Sequence, residues 1–592
     1  SPLKTWLLAT WVDLSTGIFA RPKFSLIGFC MRFVIAAVLF VLSSTLILLG
    51  LAERTVLAPP SQYSASITLT QKAPYVVVPN SVLTMHPGVP KITAKNEGPA
   101  FVATGRESDI VAFVGKSTNL LLSTDKKSKK LSEVLTTGVE ASVTPTNSDL
   151  WRSENSGPQK VSLITPNSQQ GAALIAADGV SAAPTKIEIH WQVPVDFTVS
   201  TILMWIGLAM LLAAAILTFL TYRRMRINRG PRRKTPKAPK PPKYRYRSTL
   251  VAPKRGRRSA RGFIAITSTG LTLTLLTGCT PATSLTTPSP TSTVGQVDQV
   301  SLLSSQIKRI ISDVAIIARD ADASNDKRIL VERFTGPALQ VREINYQLRL
   351  KNKRIASLPA IVGKPIKFSL PAATSVWPRQ LMVVTDEDGE AALPQLLVLQ
   401  QDSPRSRYQV WFTSRLMPGA KIPAVPSADI GAIPIDSGSL FLKVQPKNIP
   451  TTFGDVLNNG AASLSAPLFD LDNEFFKQVS KAQKDQAIQL NKANITFTHK
   501  LGDSNVVSLA TSNGGALVAV YQTDVYTIKP KRANSAVGVS GQEAILLGAN
   551  GSTRGVQSTY GDMLFFYVPP VDDKSKIKLI GATQGLVSVR SL

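Results

Sequence analysis

Cysteine and histidine are both scarce in this chain of 592 residues, which holds two cysteines and three histidines. Each cysteine, Cys30 and Cys279, lies at the border of an apolar run, so no disulfide framework holds the regions between them. Zinc fingers and iron–sulfur centres need several thiolates and are excluded. The three histidines, His86, His190 and His499, are far apart in sequence, which argues against a histidine-rich metal site. We therefore expect neither a metal nor a cofactor.

Catalytic motifs are also missing. The sequence has no glycine-rich phosphate loop and no Gly-x-Ser-x-Gly elbow. The acidic run at 386–390 falls on a predicted hairpin tip, and Asp470 and Asp472 precede a predicted helix start, where N-capping explains them. His499 lies in an alternating strand, which favours packing. We expect no catalytic residues and favour a non-enzymatic role, with an envelope hydrolase or transferase as an alternative.

Acidic residues are few, with 38 against 67 Lys and Arg and a formal net charge of +29. The segment from Tyr222 to Gly262 holds 17 of the basic residues and no acidic one, so it carries more than half of the excess. Its prolines and lysines prevent a packed core. Alternating Tyr and Arg at 244–247 resemble an RNA-binding arm, but contact with anionic lipid explains the charge more simply, so we expect no specific nucleic acid. The predicted membrane-surface contacts are Arg223, Arg224, Arg226, Arg232, Arg233 and Lys234.

Long apolar runs are what the sequence does contain. Phe33–Ala52 is twenty residues without a charge, about 30 Å as a helix, which matches a bilayer core. A second run, Thr198–Tyr222, ends at a cluster of arginines, and the positive-inside rule assigns that end to the cytoplasm. The sequence predicts transmembrane helices at 31–52 and 198–222, an N-terminal extension at 1–30 and a basic cytoplasmic linker at 223–262.

The region between these spans, 53–197, consists of short runs rich in β-branched residues separated by Pro, Gly, Asn and Asp. Examples are "SASITLTQ", "PYVVVP" and "KIEIHWQVP". This pattern predicts an external all-β domain, either a sandwich or a barrel, to which the segment "SDIVAFVG…KKLSEVL" adds one helix.

A signal-like segment lies almost halfway along the chain. Four arginines precede the apolar stretch Phe263–Leu276, which ends in Leu276-Thr277-Gly278-Cys279, the tripartite layout of a signal sequence. These residues resemble the lipobox of bacterial lipoproteins, and the resemblance implies lipidation of Cys279. The alternative is an uncleaved third membrane segment over 263–279. In both cases the Ser/Thr/Pro tether at 280–296 and everything after it lie on the extracytoplasmic face of the membrane.

Residues 297–445 and 446–592 are predicted to form two external α+β domains related by an internal repeat. Aligning Ile344–Lys351 with Ala493–Lys500 gives an offset of 149, and a hairpin with a glycine-containing turn follows in each copy. Helices followed by an antiparallel sheet resemble NTF2-like or cystatin-like rolls, which often enclose an apolar pocket. Candidate pocket-lining residues are Trp411, Phe412, Phe565, Phe566 and Tyr567.

The whole layout resembles actinobacterial cell-envelope membrane proteins that occur near envelope glycan genes. The segments that carry the resemblance are "LAERTVLAPP", "SDLW", "LIAADG…APTKIEIHW", "ERFTGPALQVR", "TSNGGALVAV" and "FFYVPP". The resemblance implies a cell-membrane scaffold or binding component of cell-wall or lipoglycan assembly, or of a membrane protein complex, with membrane lipids and envelope proteins as partners. An alternative is a carrier of a lipid or glycan ligand in the α+β rolls.

Overall fold

The computed structural model describes residues 27–58, 60–125, 130–165, 171–228, 300–386 and 393–592. The chain divides into two compact units. One contains two long apolar helices, and the other combines residues 60–194 with residues 296–592. Within the second unit, we call residues 60–194 the β-rich module and residues 300–592 the C-terminal domain.

The described residues form these α-helices: α1 (Ile27–Arg54), α2 (Asn80–Leu83), α3 (Glu107–Val114), α4 (Thr198–Asn228), α5 (Ser304–Ser324), α6 (Lys327–Leu330), α7 (Gly336–Lys351), α8 (Ile449–Asn459), α9 (Glu474–Gln489) and α10 (Gly541–Leu547). Short 3₁₀ helices lie at Pro446–Asn448, Gly460–Ala462 and Ala466–Leu468.

The strands of the β-rich module are β1 (Gln62–Thr68), β2 (Tyr75–Val78), β3 (Val89–Lys95), β4 (Ala100–Arg106), β5 (Asn119–Thr124), β6 (Leu131–Thr136), β7 (Ser153–Gly157), β8 (Lys160–Ile164), β9 (Gly171–Ala176) and β10 (Lys186–Gln192). Those of the C-terminal domain are β11 (Ile366–Pro371), β12 (Arg379–Thr385), β13 (Gln395–Gln401), β14 (Gln409–Leu416), β15 (Ala493–Ala510), β16 (Ala516–Pro530), β17 (Val537–Gly538), β18 (Gly551–Ser552), β19 (Val556–Val568) and β20 (Lys578–Ser591).

Helices α1 and α4 pack against each other in antiparallel directions. A Cβ added to Gly50 of α1 would lie 2.7 Å from Met204 Cγ, and one added to Gly207 of α4 would lie 2.7 Å from Ile47 Cγ1. Small residues at such crossings let membrane helices approach closely. Both helices are long and apolar enough to cross a membrane, and most of their surface is unburied. The two apolar helices predicted from the sequence are therefore confirmed as helices.

The β-rich module is built from two sheets that share a core. Its sheets have the strand orders β1-β10-β3-β8 and β6-β5-β2-β9-β4-β7. Apolar side chains of both, such as Val76 and Ile175 of the larger sheet and Ile189 and Trp191 of the smaller, fill one buried cluster. On the other face of the larger sheet, α3 and Trp151 cover a second cluster. The predicted β-rich region is confirmed, and the packing of its sheets is that of a sandwich. The helix predicted over "SDIVAFVG…KKLSEVL" is found only in its first part, as α3, because Leu131–Thr136 pairs with β5 as strand β6.

A single eight-stranded antiparallel sheet runs through the C-terminal domain, in the order β11-β12-β13-β14-β20-β19-β16-β15. It therefore spans both predicted domains, 297–445 and 446–592. The two four-stranded halves meet through β14 and β20 at only two residue pairs, Arg415 with Ala582 and Leu416 with Gly581. Helices α5 and α7 pack on one face of the sheet and α8 and α9 on the other.

The alignment proposed for the internal repeat is wrong. Ile344–Lys351 lies in helix α7, whereas Ala493–Lys500 lies in strand β15. The alternation of "INYQLRLK" suits a strand, but Gly336 and Pro337 begin a helix just upstream, and the side chains that it buries are spaced three or four residues apart. What the two halves share is helices followed by four antiparallel strands.

Candidate functional site: a buried arginine–aspartate junction

Helix α3 of the β-rich module is bound at both ends by arginines of the C-terminal domain. Near its start, Asp109 is 2 % exposed and accepts a 2.7 Å hydrogen bond from Nη2 of Arg379, the first residue of β12. Arg106, which precedes the helix, donates to both carboxylate oxygens of Asp109 at 2.9 Å. A carboxylate in the first turn also complements the positive end of the helix dipole. Asp109 therefore joins two guanidinium groups from distant parts of the chain.

Arg405, in the loop between β13 and β14, binds the other end of α3. Its Nε and Nη2 donate to the carbonyl oxygens of Phe113 and Val114 at 2.9 and 3.0 Å. Carbonyls in the last turn have no partner within the helix, and a cation there is favourable. Nη1 also forms an ion pair with Glu140 Oε1 at 2.9 Å. The guanidinium fork thus serves as an external C-cap for α3.

Arg333 and Asp149 form a second buried ion pair between the two parts, with both side chains 3 % exposed. Nη1 donates to Asp149 Oδ2 at 2.6 Å and Nη2 to Oδ1 at 3.0 Å, a bidentate geometry. The backbone N–H of Tyr408 adds a third donor at 2.7 Å. Burial lowers the pKa of Arg333, but hydrogen bonds and charges from Asp149 and Asp313 outweigh it, so its pKa is raised overall. The arginine therefore stays charged.

The loop that carries Asp149 is held in place from both sides. Within the β-rich module, Trp151 is fully buried, and its ring meets Phe113 edge-on at 5.0 Å. From the C-terminal domain, Gln306 of α5 donates to the Asp149 carbonyl at 3.0 Å, and Arg309 donates to the Trp151 carbonyl at 2.7 Å. This backbone is therefore fixed by side chains on the first helix of the other part.

We call these contacts of Arg333, Arg379 and Arg405 with the β-rich module the junction. Removing one partner of a buried ion pair costs about 3–5 kcal/mol, because the other charge is left uncompensated. We expect these pairs to contribute more to a defined geometry than to net stability. Because the charged groups of the junction bind one another, they are suited to holding the β-rich module and the C-terminal domain in one arrangement.

A cavity of about 440 Å³ adjoins the junction. Its lining includes Arg106, Asp109, Arg152 and Gln306. Burial, followed by the like charge of Arg106, lowers the pKa of Arg152. The volume lies within the range of about 300–1,000 Å³ typical of small-molecule sites. The cavity has the size and polarity to admit a small polar molecule beside the junction.

Residues 304–591 match the family model of a domain of unknown function, DUF8094. No curated protein and no solved structure matches the chain. The matched region begins with α5 and ends with β20, so it covers both halves of the eight-stranded sheet. It also contains all three arginines of the junction, whereas their partners lie in the β-rich module.

The predicted pocket-lining residues lie in the hydrophobic core. Trp411, Phe412, Phe565 and Tyr567 belong to the cluster beneath α5 and α7, whereas Phe566 points to the opposite face, beneath α8. All five are buried. A cavity of about 250 Å³ does lie between α7 and the sheet, but its lining consists of other residues. The structure therefore brings Trp411, Phe412, Phe565 and Tyr567 together, but as core residues that pack against one another.

Among the predicted membrane-surface residues, Arg223, Arg224 and Arg226 lie in the last turns of α4 and are exposed. The other three, at 232–234, lie outside the described residues, as do the lipidation candidate Cys279 and the segment 263–279. The acidic run at 386–390 is described only at Asp386.

His499 belongs to a buried polar cluster on the face of the sheet opposite to α7. One ring nitrogen contacts Asp524, and the other contacts Gln483 of α9 at 2.9 Å. Asp562 on the neighbouring strand β19 is fully buried, and burial followed by the charge of Asp524 raises its pKa well above the usual range. Within the described ranges, no group of three or more His, Cys, Asp or Glu residues is placed to hold a metal ion.

Asp470 and Asp472 do not cap α9. The N-cap is Asn473, whose Oδ1 accepts from the Phe476 N–H at 2.9 Å. Asp470 instead accepts from the Asp472 N–H at 3.2 Å. These acidic residues therefore close a turn ahead of the helix.

Sequence reasoning missed the junction, because a single Arg or Asp is normally a surface residue. One signal was present. Two of the segments that carried the envelope-protein resemblance, "SDLW" and "ERFTGPALQVR", contain Asp149 and Arg333. Each of these charges lies within two residues of a large aromatic, Trp151 and Phe334, and both aromatics are buried.

Proposed function

We propose that this protein is a membrane-anchored, non-enzymatic scaffold of the cell envelope, whose β-rich module and C-terminal domain act as one rigid body on the extracytoplasmic face. The observation that carries the proposal is the junction, in which three arginines of the C-terminal domain bind the β-rich module. The role in cell-wall or lipoglycan assembly, with lipids and envelope proteins as partners, rests on the sequence resemblance.

Anchoring is supported by the two apolar helices. Exposed side chains such as Phe40, Val41, Leu48, Trp205 and Phe219 cover their outer surface, each more than half exposed. An unburied apolar surface of this extent is costly in water and favourable in hydrocarbon. By the positive-inside rule, the basic residues after Tyr222 support a cytoplasmic position for that end of α4.

The proposed topology follows from the order of the segments along the chain. The β-rich module lies between α1 and α4, so two antiparallel spans leave it on one side and the end of α4 on the other. The C-terminal domain belongs to the same compact unit as the β-rich module. The proposal therefore requires the chain to return across the membrane between residues 229 and 295. Phe263–Leu276 is the apolar stretch available there, either as a third span or as the signal preceding Cys279.

Reporter fusions test this topology in cells. Alkaline phosphatase joined after Leu592 should be active, because it folds only outside the cytoplasm, and green fluorescent protein inserted after Lys240 should be fluorescent. An inactive phosphatase together with a fluorescent protein at the C-terminus would refute the proposal. Immunoblots with and without a signal peptidase II inhibitor separate the two return routes. A single uncleaved species that is unaffected by the inhibitor indicates an uncleaved third span.

The carrier alternative is favoured by the cavity of about 250 Å³ between α7 and the sheet, whose lining includes Ala338, Val341, Arg342 and Arg415. Apolar and basic groups together suit a small amphipathic acid. A carrier should release a bound molecule when the purified protein is denatured and measured by mass spectrometry. Ala338→Trp, which fills the cavity, should abolish its recovery. If no bound molecule is recovered from either protein, the carrier alternative is refuted.

A further inference from the structure

The free end of the sheet formed by β15, β16, β19 and β20 presents a polar surface that faces solvent. In one row across the four strands, Thr496 pairs with Thr527, Thr527 with Gln557, and Gln557 with Arg590. Residues directly opposite one another in a sheet share a face. Lys500 and Lys529 extend this face in the two directions along the strands, and both lysines and Arg590 are exposed. We call these six residues the polar face.

The charge on this part of the sheet has one sign. The segments 491–500, 523–534, 553–561 and 584–592 contain seven Lys or Arg and one acidic residue, Asp524. Asp524 is buried on the opposite face beside His499. Throughout the described residues, none of the seven cations forms an ion pair within 4 Å. The surface therefore carries positive charge that its own side chains do not neutralise.

The side chains of the central row are ordered by hydrogen bonds. Gln557 Nε2 donates to Thr527 Oγ1 at 3.0 Å, and Arg590 Nε donates to Gln557 Oε1 at 2.7 Å. One of the five N–H groups of Arg590 is used in this way. Ordering these groups before a ligand arrives lowers the entropy cost of binding. A row of hydroxyl and amide groups can exchange hydrogen bonds with the hydroxyls of a sugar.

The spacing of the cations indicates an extended ligand. Lys500 lies opposite Thr523, so it is separated from Lys529 by six residues along β16, or about 20 Å. A single small anion cannot reach both ends of this distance, whereas a chain with repeated acidic groups can.

Nucleic acid fits this surface less well, because sequence-independent binding of single strands depends on exposed aromatic rings. The aromatic residues of the four segments named above lie on the other face, where Phe497 meets Tyr526 at 5.0 Å between ring centres and Tyr526 meets Tyr560 at 5.3 Å. A bilayer surface is also less suitable, since the six side chains of the polar face include no apolar group to insert. We propose that the polar face binds an acidic polysaccharide, with sugar hydroxyls on the Thr and Gln row and carboxylates on Lys500, Lys529 and Arg590.

This proposal rests on the proposed scaffold function and extends it, because it names an acidic polysaccharide as the molecule that the scaffold binds. The reporter fusions measure topology alone, and a binding assay measures the polar face alone. Either proposal can therefore fail while the other stands.

The test uses the full-length protein in neutral detergent micelles and an oligogalacturonate of ten sugars as the probe. We expect binding that weakens as salt is raised, and no binding of dextran of equal length. The triple variant Lys500→Gln, Lys529→Gln, Arg590→Gln should weaken binding at least tenfold. The matched control Lys308→Gln, Lys574→Gln, Lys576→Gln removes three exposed charges elsewhere and should stay within twofold.

Three outcomes would overturn the proposal: equal binding of dextran, unchanged affinity of the triple variant, or binding of single-stranded DNA or anionic nanodiscs without binding of oligogalacturonate. If the triple variant does not fold, the single exposed substitution Lys529→Glu provides the same comparison. It should weaken oligogalacturonate binding severalfold without changing the melting temperature.

Discussion

Asp149 is the residue of the β-rich module whose carboxylate accepts three hydrogen bonds from the C-terminal domain. It receives two N–H groups of Arg333 and the backbone N–H of Tyr408, and all of these donors are buried. Asp149→Asn keeps the shape but removes the charge that balances Arg333. We expect the full-length protein to lose about 3–5 kcal/mol of stability, the usual cost of breaking a buried pair. The melting temperature in detergent should fall by several degrees.

Asp313 supplies the control for that substitution, because it binds the same guanidinium but is 37 % exposed. Asp313→Asn should cost less, since water can replace the lost charge. The double variant Asp149→Asn with Arg333→Gln should be less damaging than the sum of the two single changes, by about 0.5–3 kcal/mol. Equal melting temperatures for Asp149→Asn and Asp313→Asn would show that the junction is not held by the buried pair.

Asp562 is expected to make stability depend on pH. Its pKa is raised in the folded protein, so the folded state keeps a proton that the unfolded state releases above about pH 4. The stabilisation from this proton is complete below the unfolded pKa and is lost as pH rises through the folded pKa, at up to about 1.4 kcal/mol per pH unit.

Asp562→Asn should remove this part of the pH dependence of stability, because the amide side chain stays neutral over the whole range. Melting temperatures between pH 5 and pH 9 should therefore fall less steeply for the variant than for the unmodified protein. Asp485→Asn, an exposed change on α9, should leave the slope unaltered. Parallel pH profiles for Asp562→Asn and the unmodified protein would contradict the assignment of a retained proton.

At the scale of the element, the sequence predicts structure where the pattern is local. The apolar runs predict α1 and α4, and runs of β-branched residues predict most strands of the β-rich module. The pattern misleads at Ile344–Lys351, where alternation matches a strand but the segment lies inside α7. A helix start at Gly336 and Pro337 and burial beneath the sheet determine the result there.

Contacts between elements distant in sequence could not be predicted in this way. The two halves of the eight-stranded sheet are joined by two residue pairs between β14 and β20, about 170 residues apart. The periodicity of a local stretch of sequence does not predict a pairing over that distance. The same holds for the junction, where Arg379 and Asp109 are 270 residues apart. In the sequence, each residue of a buried ion pair looks like an ordinary charged surface residue. Only the distant residue that binds it in the fold shows that it is buried.

At the scale of the whole molecule, the junction joins two parts whose only covalent connection runs through α4 and residues 229–299. Their association depends on buried contacts within one compact unit, and buried pairs are weakly screened by salt. We therefore expect the protein to stay assembled when the connection is cut. A protease site inserted between residues 240 and 250 provides the cut, and an affinity tag at residue 1 recovers the N-terminal fragment.

After cleavage in detergent, the C-terminal fragment should co-elute with the tagged fragment at both 0.15 and 1 M salt. The same cut in a protein carrying Asp149→Asn and Arg379→Gln should release it, because two of the three arginine contacts are then lost, whereas Asp178→Asn on an exposed loop should not. Release of the C-terminal fragment from the otherwise unmodified protein would mean that the covalent connection, rather than the junction, holds the two parts together. Retention would mean that processing near Cys279 can occur without separating the β-rich module from the DUF8094 region.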